Sequence, residues 1–190
     1  CQFSECDTTR VRELEALVLA TSPGDGFKAA LSDWIDWDAF HRFQCLSWMI
    51  ETPDDYIHAL NNVVLVERTD GKFQFLPYSV DFSFDHDWGP SADLPGGSLL
   101  ALGCQSDTQC WDDTIAACES LVDAYASANP AAMLDSIQAE LEQANMLRDG
   151  DNDRYALLRE GLERRLTELP AELELNRRLG TYTNVANLLD

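Results

Sequence analysis

Basic residues are scarce in this chain, and lysine is the scarcest of them. Of 190 residues, 13 are Lys or Arg and 34 are Asp or Glu, which leaves a formal net charge of -21; Lys28 and Lys72 are the only lysines. So acidic a surface repels phosphate backbones and anionic head groups, and we expect no nucleic acid among its partners. Long apolar runs are missing as well: nothing approaches the roughly 18 to 20 consecutive apolar residues of a membrane helix. The opening CQFSECDTTR lacks the basic-then-apolar order of a signal segment. We therefore expect no transmembrane segment. A CxxC, a GxGxxG and a GxSxG are also absent, which leaves zinc ribbons, nucleotide-covering glycine loops and hydrolase elbows without support.

What remains is a chain with 45% hydrophobic residues, enough for one core in one domain, or a domain with an appendage. Six cysteines (Cys1, Cys6, Cys45, Cys104, Cys110, Cys118) are even in number and lack zinc-ligand spacing, so we expect disulfides and a secreted or cell-surface location. Cys104 and Cys110 enclose a short polar stretch at the head of a helix and are expected to pair. The alternatives join Cys110 to Cys118 or send Cys118 to Cys45, and Cys1 with Cys6 is the other local option. A lipobox upstream of Cys1 would make that residue a lipid-anchored start.

The periodicity predicts an α-rich α+β fold. Val11, Leu14, Leu17 and Val18 repeat at helical spacing after a Thr8 or Thr9 cap, until Pro23-Gly24-Asp25-Gly26 breaks the pattern. Asp36 is expected to cap a second helix whose apolar side carries Phe40, Phe43, Trp48 and Met49. Residues 62–77 then read as a β-hairpin turning at Thr69-Asp70-Gly71-Lys72. Residues 81–97, rich in Asp, Gly and Pro, read as a long acidic loop. Helices follow: one capped at Asp107 or Thr108, one opening at Pro130, one from about Asn152 to Pro170, and a short one to Arg178 that could continue the third through a kink. We divide the chain into 1–103, the core with hairpin and loop, and 104–190, a helical C-terminal subdomain.

The residues from Asp36 to Gly89 carry an ordered set: Asp54-Asp55-Tyr56, then Asn61-Asn62 before Val63-Val64-Leu65-Val66, a turn at Asp70-Gly71-Lys72, and Pro77-Tyr78-Ser79-Val80-Asp81-Phe82. In order and spacing this resembles the CotH family, spore-coat-type proteins related to secretory kinases. The resemblance implies a protein-kinase-like large lobe. Asp55 or Asp54 would then be the catalytic-loop carboxylate, Asn62 or Asn61 a metal ligand, and Asp81 the metal-binding carboxylate beyond the second strand. Chemically, phosphoryl transfer needs hard oxygen ligands for magnesium and a carboxylate to orient the attacking hydroxyl. Two departures stand out. Ser79 replaces the first Asp of the family's PWDLD, and no small lobe with a phosphate-holding lysine precedes the set, Lys28 lying in a helical context. The expected function is thus an extracellular interaction or structural module on that scaffold, with a protein or the missing N-terminal lobe as partner. The alternative is the C-terminal part of an ATP- and magnesium-dependent protein kinase.

Three further candidates complete the reading. Asp81, Asp85, Asp87 and Asp93 crowd one loop, which is expected to take magnesium, calcium or a cationic surface, Asp85 being the further metal ligand. Asp149-Gly150-Asp151-Asn152-Asp153 is a calcium candidate or a helix-capping turn. Ser79 or Ser83 with His86 and Asp87 makes a poor hydrolase set. His41 and His58 read as packing residues in helices.

Overall fold

The computed structural model describes residues 8–52, 54–80, 83, 84, 94 and 97–182. These form α1 (Thr9–Ala20), α2 (Phe27–Ala30), α3 (Trp37–Met49), β1 (Val63–Glu67), β2 (Phe73–Pro77), α4 (Leu99–Ser106), α5 (Thr108–Ala128), α6 (Pro130–Gln143) and α7 (Asp151–Tyr182). A mostly helical α+β fold with one antiparallel hairpin is what the periodicity predicts. The acidic-loop residues Asp81, Asp85, Asp87 and Asp93, with His86, lie outside the described residues, as do Cys1 and Cys6.

Helix α3 organises the core. The Asp36 carboxylate accepts the Ala39 N–H at 3.2 Å, satisfying one orphan donor of the first turn. Nine of its 13 residues are buried, so it is covered nearly all round, as an apolar-rich helix must be. One face packs Phe40 edge-on against Phe75, with centroids 5.1 Å apart; the other joins Trp48 and Met49 to Trp111, Ile115, Leu169 and Leu173. Both core clusters draw on residues before and after position 104.

The hairpin pairs Val63 with Pro77, Leu65 with Phe75 and Glu67 with Phe73. Phe73 turns its N–H to Trp34 and its carbonyl to the Asp36 N–H, away from β1. Backbone groups alternate along a strand, so Phe75 and Pro77 also face outward, where the N–H that proline lacks is not needed for the ladder. By the same alternation Val63, Leu65 and Glu67 direct their amides away from β2. Phe73 and Phe75 are buried, whereas Val64, Val66 and Leu76 stand exposed on the opposite face.

Helix α4 departs from the expectation that regular structure resumes after Gly103. It begins at Leu99, with Ser98 capping through the Ala101 N–H at 3.2 Å. Gly103 lies inside it because the helix crosses closely over Phe27: a Cβ at this position would sit 2.2 Å from Cζ of that ring. Asp107 then caps α5 through the Cys110 N–H at 3.0 Å and also receives the Gly26 and Lys28 amides, at 2.9 and 3.0 Å. One buried carboxylate thereby ties α2 to the α4–α5 elbow. Pro130 opens α6 as expected. The last two predicted helices are one, α7, running through Pro170. Residues flanking the proline hold it in place, since Leu169 and Leu173 are buried against α3 and α5.

Among the described residues, two disulfides staple this arrangement. Cys104 joins Cys110, the expected pair, and Cys45 joins Cys118, one of the alternatives. The second links α3 directly to α5. Among the described residues no helix is long and apolar enough to cross a membrane.

Candidate functional site

The segment leading into β1 gathers part of the predicted site. Asp54 accepts the side-chain amide of Asn61 on one oxygen and that of Asn62 on the other, each at 2.9 Å. A carboxylate clasped by two amides closes the loop from residue 54 to the strand. Leu60 and Asn62 both adopt positive φ, 58° and 45°, a conformation asparagine tolerates far better than leucine. The clasp holds that tight path in place.

Asp55 points elsewhere. It is 3% exposed; one oxygen accepts the His58 N–H at 2.8 Å and lies 3.0 Å from His58 Nδ1. Its other oxygen is buried without a hydrogen-bond partner, a costly arrangement for a carboxylate. Its carbonyl takes the Ala59 and Asn61 amides. Asp54, Asn61 and Asn62 therefore form one cluster, and Asp55 with His58 a second, in a turn rather than the helix expected for His58. Ser79, exposed at φ 55°, follows β2.

Lys28 is ion-paired with Asp113 on α5. In the Asp149–Asp153 segment, Asp151 accepts the Arg148 N–H at 2.8 Å and Asn152 the Gln138 amide at 2.9 Å. These bonds make it the turn and start of α7.

Beside the hairpin a groove of about 500 Å³ runs between α3 and β2, floored by Phe43, Leu46, Leu76 and Pro77 and edged by Asp36 and Arg68. Arg68 is itself paired with Asp36 and Asp70. The groove continues the exposed apolar face of Val64, Val66 and Leu76.

His41 is in part the packing residue its neighbours imply: the ring stacks on Trp37, centroids 5.7 Å apart. It is also a titratable group in an unusual setting. Thr114 Oγ1 gives its hydrogen to the Cys110 carbonyl at 3.0 Å and lies 2.9 Å from His41 Nδ1, so Nδ1–H donates to it. Nε2 is buried without a partner. Burial pushes the pKa down to about 4, the Lys28 charge adding to the effect and Asp113 and Asp38 opposing it. His41 is thus neutral in the fold and protonates when released. Its contribution to stability is complete above about pH 6.5 and is lost as the pH falls toward 4, a span worth about 3 kcal/mol. In urea melts, the parent chain should lose about that much more stability between pH 7 and pH 4 than His41→Gln does; equal losses would contradict this account. No protein-family model matches the chain, and no curated protein matches it.

Proposed function

We propose that this chain is an extracellular interaction module, on a scaffold akin to the large lobe of CotH-like kinases, that receives an extended cationic segment of a protein partner along β1. The observation that carries this reading is the character of that edge. Val63-Val64-Leu65-Val66 contains no lysine and no proline, and among the described residues its outward amides meet no partner. Exposed edge strands are ordinarily blunted by lysine, proline or a covering element. An edge left apolar and open suits strand addition, in which backbone bonds give affinity and alternate side chains give specificity. The net charge of -21 favours a basic segment over an acidic one. The disulfides support an oxidising compartment.

The clasp on Asp54 and the burial of Asp55 support the non-catalytic reading, because Asp54 closes the loop and Asp55 is turned inward to His58. A peptide of alternating valine and lysine is a suitable probe. We expect it to bind the full chain, to lose at least about tenfold in affinity when Val64 and Val66 are both changed to lysine, and to outbind a valine–glutamate counterpart. Failure of the valine–lysine peptide to bind would remove this reading. Calorimetry with ATP and magnesium addresses the enzyme: we expect affinity no tighter than about millimolar. A micromolar affinity lost in Asp81→Asn would restore the phosphotransferase.

A further inference from the structure

The geometry points to a second site, independent of the hairpin: when the Cys104–Cys110 disulfide is opened, Cys104, Cys110 and His41 form a binding site for one zinc-type divalent cation. The two sulfurs and a ring nitrogen of His41 lie within 4.8 Å of one another, and all three residues are buried. Two thiolates and a neutral imidazole are a recognised donor set for zinc, and three protein ligands leave a fourth position open to water or a substrate.

Three further observations bear on this. Nε2 of His41 is a buried lone pair with no donor, which is hard to explain as packing alone, since buried polar atoms are nearly always satisfied. Thr114 holds the ring through Nδ1, as the outer-shell partner of a metal-bound histidine does when it fixes the tautomer. The same Thr114 Oγ1 lies 3.5 Å from Cys104 Sγ, so one hydroxyl touches two members of the set.

Opening this disulfide would leave the elbow intact. The two cysteines are only six residues apart, and the Ser98 and Asp107 caps hold α4 and α5 independently of them. The Cys45–Cys118 disulfide meanwhile keeps α3 against α5. Cys110 also lies in the first turn of α5, where the helix N-terminus favours thiolate over thiol. His41 also lines an open groove of about 600 Å³ together with Asp38, Arg42 and Asp113.

The chemistry balances in two steps. A dithiol reductant passes two electrons and two protons to the disulfide, giving two cysteine thiols and an oxidised, disulfide-form reductant. The cation then displaces both thiol protons, which leave to solvent, and binds the two thiolates and the imidazole. In an oxidising compartment the disulfide persists and the site stays closed; in a reducing one the metal would hold the same elbow.

Cobalt(II) is the probe, because thiolate ligation gives it charge-transfer absorption and tetrahedral visible bands. After limited reduction by dithiothreitol, to the point where peptide mapping finds Cys104 and Cys110 free and Cys45 still joined to Cys118, and removal of the reductant without air, the full chain should bind one cobalt with both signatures, release two protons and give up the cobalt to zinc. The oxidised chain should show neither signature. His41→Gln and Thr114→Val should each weaken binding about 10- to 100-fold, the usual effect of losing a ligand or its outer-shell support. Circular dichroism confirms that each reduced chain is folded. Cobalt spectra unchanged by His41→Gln would assign binding to thiols alone and overturn the site, as would a folded reduced chain that binds no cobalt. Should His41→Gln fail to fold, Thr114→Val decides in the same way.

Discussion

Arg165→Met will destabilise the chain by about 3 to 5 kcal/mol, the usual cost of removing one partner from a buried charge cluster. Arg165 is 1% exposed, and its guanidinium crosses from α7 to the end of α3. There it donates to the Trp48 carbonyl and the Met49 carbonyl, each at 3.1 Å, and to Glu172 at 2.9 Å. The last carbonyls of a helix have no partner within it and carry the negative end of its dipole. Arg165 caps α3 from another element, while Glu172 also receives the Trp48 indole N–H at 3.1 Å. Methionine would fill the space but take the Met49 carbonyl's donor away, leave the Trp48 carbonyl with the Glu51 N–H alone, and leave Glu172 with the indole N–H but no facing charge. For a chain of this length the loss corresponds to about 10 °C in Tm. Arg159→Met, which breaks an exposed pair with Asp135, should leave Tm almost unchanged. Similar melts for the two variants would show that Arg165 is not a cap.

The two disulfides should differ in worth by about a factor of two. Cys45 and Cys118 are 73 residues apart and Cys104 and Cys110 six. By the loop-entropy relation these closures contribute about 4 and about 2 kcal/mol. Changing Cys45 and Cys118 to alanine should therefore cost about twice what the same change costs at Cys104 and Cys110. It should also steepen the urea dependence, because the unfolded chain expands once freed. The reverse order would mean that native packing around the short bridge, and not chain entropy, decides its value.

Much of this fold is legible in the residues because it is written locally. Asp36 and Asp107 stand where a cap carboxylate is needed, Pro130 stands at a first helical position, and Phe73 and Phe75 alternate into a turn at Gly71. Each signal involves only near neighbours. Helix α4 escapes such a reading because Gly103 resembles a break; its reason for being glycine is Phe27, far away in sequence. Arg165 escapes for the same kind of reason. In a helix rich in charge it looks solvated, and only the arrival of α3 makes it a cap. The predicted site divides along this line. Asp54, Asn61 and Asn62 do come together, since a short loop obliges them to, but Asp55 turns inward to His58, a direction that residue spacing does not encode. For His41 the aromatic neighbours announce burial, whereas Thr114, Cys104 and Cys110 come from 63 to 73 residues away in sequence.

The thinness of α6 has a dynamic meaning. Only Ala131 and Leu134 of its 14 residues are buried, while Met133 and Ile137 lie open. Neither disulfide reaches it. Little apolar surface is lost if this helix frays, so its amides exchange with solvent through small, frequent openings. Those of α3, enclosed and bridged to α5, wait for the whole chain to unfold. The molecule thus has two tiers of cooperativity, and a melting temperature measured on it describes the bridged tier alone.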